Sequence, residues 1–191
     1  MVLAYEKMKD FSSRNEGLSS HITFSHMVVD YCLRNRTFLE EWEPVREEEF
    51  YTSEFQLKQL RNDMECKEFF RLWILKKGNE EKIIGALRFT NIMRGAFLSC
   101  FLGYKLDEKE INHGYMTESI KKGTEIVFQD FGLHRIEANI MPKNKRSLRV
   151  AEKAGFYKEG LSYRYLKING KWADHIHMVL LNEPFLSIPN M

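Results

Sequence analysis

The chain has 191 residues, of which 29 are Lys or Arg and 27 are Asp or Glu, giving a formal net charge of +2. This near-neutral balance gives no support for a nucleic-acid partner, and no apolar run reaches the ~20 residues that cross a bilayer. The N-terminal stretch MVLAYEKMKDF is too polar for a signal peptide. The length fits one domain over 1–191, with a core from about 20 to 182.

Cysteine and histidine patterns exclude several kinds of site. Cys32, Cys66 and Cys100 are far apart and odd in number, so they predict no disulfide framework, and a reducing cytoplasm is the expected compartment. His175 and His177 share one face of a predicted strand, but no third ligand is evident, so we predict no metal site. The sequence contains neither a GxSxG motif nor a P-loop, so nothing in it indicates a hydrolase or an NTPase.

The first half of the chain predicts two helices and an antiparallel meander. Apolar residues at near-helical spacing predict a helix over His26–Trp42, which Pro44 interrupts. Glu47–Glu49 suit the first turn of a second helix that runs to about Met64, because carboxylates there meet the positive end of the helix dipole. The predicted strands are Phe69–Lys76, Lys82–Thr90 and Ala96–Leu106, with a turn at Lys77–Glu80.

The second half predicts a strand–helix–strand unit, a short helix and a closing hairpin. A helix over Gly114–Phe131 is followed by Gly132, a residue type that commonly ends helices. Its predicted apolar face consists of Met116, Ile120, Thr124, Val127 and Phe131. The other predicted elements are a strand at His134–Met141, a helix at Asn144–Ala154 closed by Gly155, and strands Phe156–Ile168 and Lys171–Leu181 around the turn Asn169–Gly170.

This element order predicts an α+β domain with a mixed sheet. Two strands joined by a helix are expected to be parallel, with a right-handed crossover. Ligands of such sheets bind at the carboxyl ends of the parallel strands. In this chain those ends lie next to Leu106, His113 and Met141.

The stretch EINHGYMTESI, residues 110–120, has one glycine between a predicted strand and a predicted helix. A helix N-terminus offers unpaired N–H groups that suit a pyrophosphate, and Gly114 allows the backbone to come close. Asn112 is the non-glycine residue type that best tolerates the left-handed region. A phosphate cradle and an ordinary turn are both open interpretations, and the lone glycine by itself more often marks a turn.

Asn144 and Ser147 are one helical turn apart, so both side chains face the same way. An amide and a hydroxyl at this spacing can hold an extended, amide-containing ligand and reach its terminal atom. The alternative is a helix cap, with Asn144 as the capping residue. Spacing alone favours the cap, and the two roles are compatible.

Three segments together resemble the GNAT superfamily of acyl-CoA-dependent N-acetyltransferases, and in particular the ribosomal-protein-alanine N-acetyltransferases of the RimJ type. They are Lys109–Gly114, the stretch HRIEANIMPKNKRSLRVAEKAGFYKEG, and YLKINGKWADHI. Further matches lie at Asn35–Arg46 and Asn91–Gly95, and the resemblance extends from about residue 25 to about 182. The loop departs from the family pattern Gln/Arg-x-x-Gly-x-Gly/Ala, because Lys109, Asn112 and Gly114 stand at its defined positions.

The resemblance implies the GNAT fold, a mixed, mostly antiparallel sheet with a central parallel strand pair flanked by helices. It also implies acetyl-CoA as co-substrate, with no metal, and direct transfer of the acetyl group to an amine. Backbone N–H groups from Asn112 to Thr117 would then hold the pyrophosphate, and a backbone N–H near Leu106 would meet the oxyanion if the sheet splays there. The implied CoA-contacting residues are Leu106, Asn112, His113, Gly114, Tyr115, Met116, Thr117, Asn144 and Ser147.

The resemblance makes Ser147 the first candidate for the acid that protonates the departing thiolate. An α-amino acceptor has a pKa near ~8 and needs only a modest base, whereas lysine at ~10.4 needs a stronger one. Glu137 is a candidate base whose alternative role is that of a solvated strand residue. Tyr163 and Tyr165 are alternative acids, with packing in the core or at its rim as the other interpretation.

The resemblance implies that the acceptor is the N-terminus of a protein, with a ribosomal protein as the substrate that the family suggests. We expect a monomer or homodimer that requires no nucleic acid and has no membrane partner. A small-molecule amine acetyltransferase acting on polyamines or antibiotics, and a non-catalytic acyl-CoA-binding protein, are the alternatives. Basic residues at the start of the short helix suit either RNA or the CoA phosphates. An acidic group that could steer a basic N-terminus consists of Glu40, Glu41, Glu43 and Glu47–Glu49.

Overall fold

The computed structural model describes residues 2–3 and 17–182. The predicted single domain over 1–191 therefore includes residues that lie outside the described part. In that part, no helix is both long and apolar enough to span a membrane. The helices are α1 (Gly17–Arg34), α2 (Arg36–Leu39), α3 (Ser53–Glu65), α4 (Tyr115–Phe131) and α5 (Lys145–Lys153), with 3₁₀ turns at Glu48–Tyr51 and Glu108–Glu110. The strands are β1 (Val2–Leu3), β2 (Phe69–Lys76), β3 (Asn79–Met93), β4 (Ser99–Leu106), β5 (Arg135–Ile140), β6 (Tyr157–Ile168) and β7 (Lys171–Leu181).

One seven-stranded sheet with the order β1-β2-β3-β4-β5-β7-β6 organises the fold. Strands β4 and β5 are parallel and all other neighbours are antiparallel. The predicted mixed sheet with one central parallel pair is therefore confirmed. The crossover from β4 to β5 passes through α4, which brings the N-terminus of α4 to the carboxyl end of β4.

The sheet buries a hydrophobic cluster on each face, because strand side chains alternate between the two sides. Leu72, Ile74 and Leu87 belong to the cluster that includes residues of α4 and α5. Trp73 and Ala86, which alternate with them, belong to the cluster that includes residues of α1 and α3. Each helix layer thus lies over its own face of the sheet, and a site at the β4–β5 junction is accessible from both sides.

Helix α4 matches its prediction closely. It begins after Gly114 (φ 81°) and ends before Gly132 (φ 59°), and both glycines occupy the left-handed region. Of the predicted apolar face, Met116, Ile120, Thr124 and Val127 are buried, and Phe131 packs against the same core.

The N-terminal helices differ from the prediction. Helix α1 begins at Gly17 rather than His26 and ends at Arg34, and the next segment to residue 39 forms the separate α2. Glu47–Glu49 do not open the second long helix, because Thr52 caps it: the Thr52 hydroxyl accepts a hydrogen bond from the Phe55 N–H at 3.3 Å. Carboxylate enrichment predicted a helix start here, but the hydroxyl at N-cap determines where the regular helix begins.

Candidate active site

The loop before α4 has the backbone that a phosphate cradle requires. Asn112 has a φ of 66° and Gly114 a φ of 81°, so two left-handed residues precede the helix. The first four N–H groups of an α-helix have no intrahelical acceptor, and the helix dipole adds partial positive charge there. A Cβ at Gly114 would have no heavy atom within 4 Å, because this backbone faces an open cleft. Asparagine thus stands in a conformation that usually selects glycine, as its chemistry predicted.

Buried contacts hold this loop against the rest of the domain. The Asp107 carboxylate lies 2.7 Å from Arg34 Nε, and its other oxygen accepts from the Lys109 N–H at 3.0 Å. Asn35 Oδ1 accepts from the Glu108 N–H at 3.0 Å, so the end of α1 also fixes the 3₁₀ turn. These bonds position the cradle before any ligand binds.

The sheet opens next to the cradle. Strands β4 and β5 pair only at Ser99–Phe101, although β4 continues to Leu106. Leu106 pairs with Gly85 on its β3 side and has no β5 partner on the other. The sheet thus splays at Leu106, the condition on which the predicted oxyanion contact depends, and backbone groups of β4 are left available to a ligand.

A cleft of about 1070 Å³, here called the α4 cleft, lies between the cradle and α5. Leu106, Asn112, Gly114, Met116 and Thr117 line one side of it. The opposite side is strongly basic and carries Lys143, Lys145, Arg146, Arg149 and Lys153. Positive side chains facing free helix N–H groups make this cleft suitable for a polyanionic ligand such as CoA.

Of the two roles that the sequence left open for Asn144 and Ser147, the structure shows the helix cap, and contact with a ligand stays a prediction. Asn144 Oδ1 accepts from the Ser147 N–H at 3.1 Å, so Asn144 is the N-cap of α5. Both residues also line the α4 cleft. The Ser147 hydroxyl donates to the Tyr104 hydroxyl at 2.7 Å, and the Tyr104 hydroxyl donates to the Ser147 carbonyl at 2.9 Å.

Tyr104 is a site residue that the sequence reasoning missed. Burial raises the pKa of Tyr104, and the hydrogen bond from Ser147 only partly opposes the shift, so the phenol stays neutral and can donate. The sequence did contain a signal for Tyr104: it lies near the carboxyl end of the predicted strand that contains FLGYKL, and that end approaches the cradle. The hairpin pattern had instead suggested Tyr163 and Tyr165 as candidate acids, and Tyr163 is 76% exposed.

A second cavity of about 460 Å³, here called the sheet groove, lies on the α1 and α3 side of the sheet. Tyr104, Asn144 and Ser147 line both the sheet groove and the α4 cleft. Trp42, Glu43 and Lys105 are shared as well, so the two cavities meet along a border that includes the Ser147–Tyr104 hydrogen bond. A thioester entering through one cavity and an amine entering through the other would come together at that point.

His175 and Asn139 are polar residues that line the sheet groove. His175 Nδ1 lies 3.0 Å from the Ala173 carbonyl, so this nitrogen carries the hydrogen and Nε2 is left as the acceptor. Burial lowers the pKa of His175, which favours the neutral ring. Asn139 Oδ1 is buried and has no hydrogen-bond partner among the described residues. The sequence reasoning considered His175 only as a metal ligand and did not consider Asn139.

The remaining candidates lie away from the junction of the two cavities. Glu137 pairs with Arg135 at 2.9 Å and approaches His177 Nδ1 at 3.4 Å, and it lines neither the α4 cleft nor the sheet groove. Tyr165 packs its ring 4.9 Å from that of His177 and is likewise absent from both linings.

His113 and Tyr115 stack their rings at 5.7 Å beside the cradle, outside the lining of the α4 cleft. They are placed to contribute backbone N–H groups rather than side chains. Within the described residues, no group of three or more His, Cys, Asp or Glu side chains is arranged to hold a metal ion.

The predicted acidic steering group is largely neutralised. Glu41 pairs with Lys143 at 2.8 Å, Glu43 with Lys105 at 3.0 Å, and Glu48 with Arg36 at 2.6 Å. The sheet groove is lined by one carboxylate, Glu43, and by four cations. The four are Arg46, Arg71, Arg88 and Lys105. The lining of the groove therefore gives no support to the hypothesis that acidic residues steer a basic acceptor into it.

Comparison with known proteins agrees with this geometry. The family model for the acetyltransferase (GNAT) domain matches residues 25–157. The chain belongs to the GNAT acetyltransferase family. It is an acetyl-CoA-dependent N-acetyltransferase of the RimJ type.

Two curated relatives are each 38% identical to this chain over 151 residues. One is the probable N-acetyltransferase YjcK of Bacillus subtilis, with 78% of this chain and 83% of the relative covered. The other is the ribosomal protein uS5-alanine N-acetyltransferase of Escherichia coli, with 78% of each covered.

Among solved structures, the ribosomal-protein-S5-alanine acetyltransferase from Vibrio fischeri is 34% identical, with a TM-score of 0.78 over 85% of this chain and 90% of that one. RimJ from Mycobacterium smegmatis, solved with CoA-disulfide, is 26% identical, with a TM-score of 0.77 over 88% of this chain and 81% of that one. The predicted GNAT fold is thereby confirmed.

Proposed function

We propose that this enzyme acetylates the α-amino group of a protein N-terminus, with a ribosomal protein as the acceptor. The observation that carries the proposal is the meeting of the α4 cleft and the sheet groove at Ser147 and Tyr104. The relatives named for uS5-alanine acetylation support the choice of acceptor. An α-amine also suits the site, because its pKa near ~8 leaves a useful neutral fraction at physiological pH.

In this proposal acetyl-CoA occupies the α4 cleft. Backbone N–H groups from Asn112 to Thr117 bind the pyrophosphate, and the basic side chains of α5 bind other anionic groups of the nucleotide. The splayed end of β4 offers backbone groups to the pantetheine amides, and an N–H near Leu106 meets the oxyanion as charge develops.

The proton transfers involve both sides of the junction. Tyr104 holds Ser147 in place through their two hydrogen bonds. In the reaction the Ser147 O–H turns from the Tyr104 oxygen to the departing thiolate and protonates it, and the Ser147 oxygen regains a proton from solvent. His175 Nε2 accepts the proton that the amine loses, and Asn139 lines the groove beside it. Glu137 is less suitable as the base, because its carboxylate is already paired with Arg135.

A polyamine or cationic antibiotic as acceptor has weaker support. Four cations and one carboxylate line the sheet groove, so a polycation would meet net repulsion there. A spermidine N-acetyltransferase from Vibrio cholerae shares the fold at 17% identity, which carries no substrate information for this chain.

The test is the release of CoA thiol from acetyl-CoA in the presence of a peptide that begins with alanine. Matched controls are the same peptide with its N-terminus already acetylated, and spermidine. We expect release only with the free N-terminus, and mass spectrometry should locate the new acetyl group on the α-amine. Release with spermidine and none with any peptide would overturn the proposal.

A further inference from the structure

Three arginines and one aspartate form a cluster at the part of the sheet groove formed by β2 and β3. Arg71 and Arg88 are directly opposite each other on these strands, and Arg46 comes from the loop before α3. All three arginines line the groove. Like charges at directly opposite strand positions destabilise a sheet, so their presence here requires a compensating partner.

The partner within the chain is Asp63, and it compensates only part of this charge. Arg71 Nη1 lies 3.1 Å from Asp63 Oδ2, yet that oxygen is buried and the contact lacks hydrogen-bond geometry. Burial raises the pKa of Asp63, while Arg71 and Arg88 oppose the shift. Burial also lowers the pKa of Arg71. The positive charges of Arg88 and Arg46 lower it further, whereas the negative charge of Asp63 raises it.

Arg88 and Arg46 have no carboxylate partner among the described side chains. Arg88 lies over the Phe69 ring at 4.9 Å, and Arg46 over the Phe50 ring at 4.8 Å. The Arg46 Nε atom is buried and has no hydrogen-bond partner in the described part of the chain. Aromatic rings hold these guanidiniums in place without neutralising their charge, so both side chains can attract an anion in the groove.

The sheet groove joins this cluster to the reaction point, because Arg88 and Ser147 both line it. Arg88 pairs with Gly103 on β4, which also lines the groove, and the next residue is Tyr104, whose hydroxyl bonds to Ser147. A Cβ at Gly103 would have its nearest neighbouring heavy atom, the Arg88 carbonyl oxygen, 4.0 Å away, so the groove is clear at this position. Neighbouring strands are about 4.8 Å apart, which puts the arginine cluster on the order of 10 Å from the junction of the two cavities.

We propose that the Arg46–Arg71–Arg88 cluster is a subsite for an acidic side chain at the third or fourth residue of the acceptor peptide. An extended chain advances about 3.3 Å per residue, so about three residues span the distance from the amine to the cluster. The inference rests on the proposed function and adds a sequence requirement to it. A peptide carboxylate in this subsite would add the negative charge that the three arginines lack, because Asp63 is their one carboxylate partner within the described part of the chain.

The test compares alanine-initiated peptides that carry glutamate or glutamine at one position, scanned from the second to the sixth residue. We expect kcat/KM to be highest with glutamate at residue three or four, by about tenfold over glutamine, the size expected for a charge-assisted hydrogen bond near solvent. Arg88→Gln should abolish that preference. Arg61→Gln is the matched control, because Arg61 is an exposed arginine of α3 outside the groove lining, and it should keep the preference.

Two results would overturn the inference: no glutamate preference at any position, or a preference that Arg88→Gln leaves unchanged. A charge exchange strengthens the test, since Arg88→Glu should prefer lysine at the same peptide position. If no peptide is acetylated at all, the proposed function fails instead. In that case, calorimetry with N-acetylated glutamate and glutamine peptides tests whether the subsite exists. Tighter binding of the glutamate peptide would support the subsite, and equal affinity for both peptides would overturn it.

Discussion

The α4 cleft and the sheet groove meet at Ser147, yet they are built differently. The cleft depends on backbone groups, with left-handed Asn112 and Gly114 before α4 and the unpaired end of β4 beside them. The groove depends on side chains, among them Arg88 from β3 and His175 from β7. A backbone site binds the common part of a cofactor, whereas a side-chain site can change its specificity by substitution without changing the fold.

The largest expected effect is at the junction itself. Ser147→Ala should reduce kcat by roughly 100-fold or more, the usual contribution of a positioned proton donor, while CoA affinity changes little. Steady-state kinetics and calorimetry with CoA measure the two quantities separately. Tyr104→Phe serves as the companion variant, and the double variant should lose little beyond Ser147→Ala, because the two hydroxyls act together. Full additivity would show that they act independently.

The next effect separates the groove from the cleft. His175→Gln should lower kcat/KM by at least about tenfold without weakening CoA binding, because only the groove loses a group. Protonation of the acceptor α-amine, whose pKa is near ~8, lowers kcat/KM first as the pH falls. The neutral His175 ring is the active form and burial lowers its pKa, so the wild-type enzyme should show a second, steeper loss of activity below the ordinary histidine value of about 6.5.

The groups that influence this titration are Asp174, which opposes the shift, and His177, which adds to it. The pH dependence of kcat/KM over the acid range measures the effect in both proteins. The steeper loss below about 6.5 should disappear in His175→Gln, while the limb that the acceptor amine causes stays. An unchanged acid limb in that variant would assign the proton acceptor to another group.

A third effect is confined to the cleft. Gly114→Ala should destabilise the left-handed backbone by about 1–2 kcal/mol and weaken CoA binding several-fold, because the cradle must shift. Gly132→Ala is the matched control, since Gly132 has a φ of 59° at the other end of the same helix and a Cβ there would have no heavy atom within 4 Å. It should cost similar stability in thermal unfolding and leave CoA affinity unchanged. Equal loss of affinity in both variants would mean that helix stability, rather than the cradle, determines binding.

The smallest expected effect concerns the residue that departs from the family pattern. Asn112→Gly should preserve or slightly tighten CoA binding, because glycine adopts the φ of 66° with less strain. Calorimetry at constant ionic strength measures the change. A severe loss of affinity would show that the asparagine side chain itself contacts the cofactor.

Prediction from sequence succeeded where local chemistry determines the structure. Gly114, Gly132, Asn144 and the turn Asn169–Gly170 each have a residue type suited to their backbone or cap, and the structure uses them accordingly. The parallel pairing of β4 and β5 followed from the strand–helix–strand order.

The sheet groove was not predictable in the same way. Arg46, Arg71, Arg88 and His175 come from a loop and three strands, so only the strand pairing brings them to one cavity. Their spacing in sequence has no periodicity that would group them. The acidic group misled for a related reason: the sequence shows its carboxylates, but not the basic partners that pair with Glu41, Glu43 and Glu48.

The most direct test of the central claim is a crystal structure with a bisubstrate analogue, in which the CoA sulfur is joined to the N-terminus of an alanine-initiated peptide. We predict the CoA moiety in the α4 cleft, the peptide in the sheet groove, and the sulfur within hydrogen-bond reach of Ser147 Oγ. A peptide bound outside the sheet groove, or a sulfur far from Ser147, would contradict this prediction.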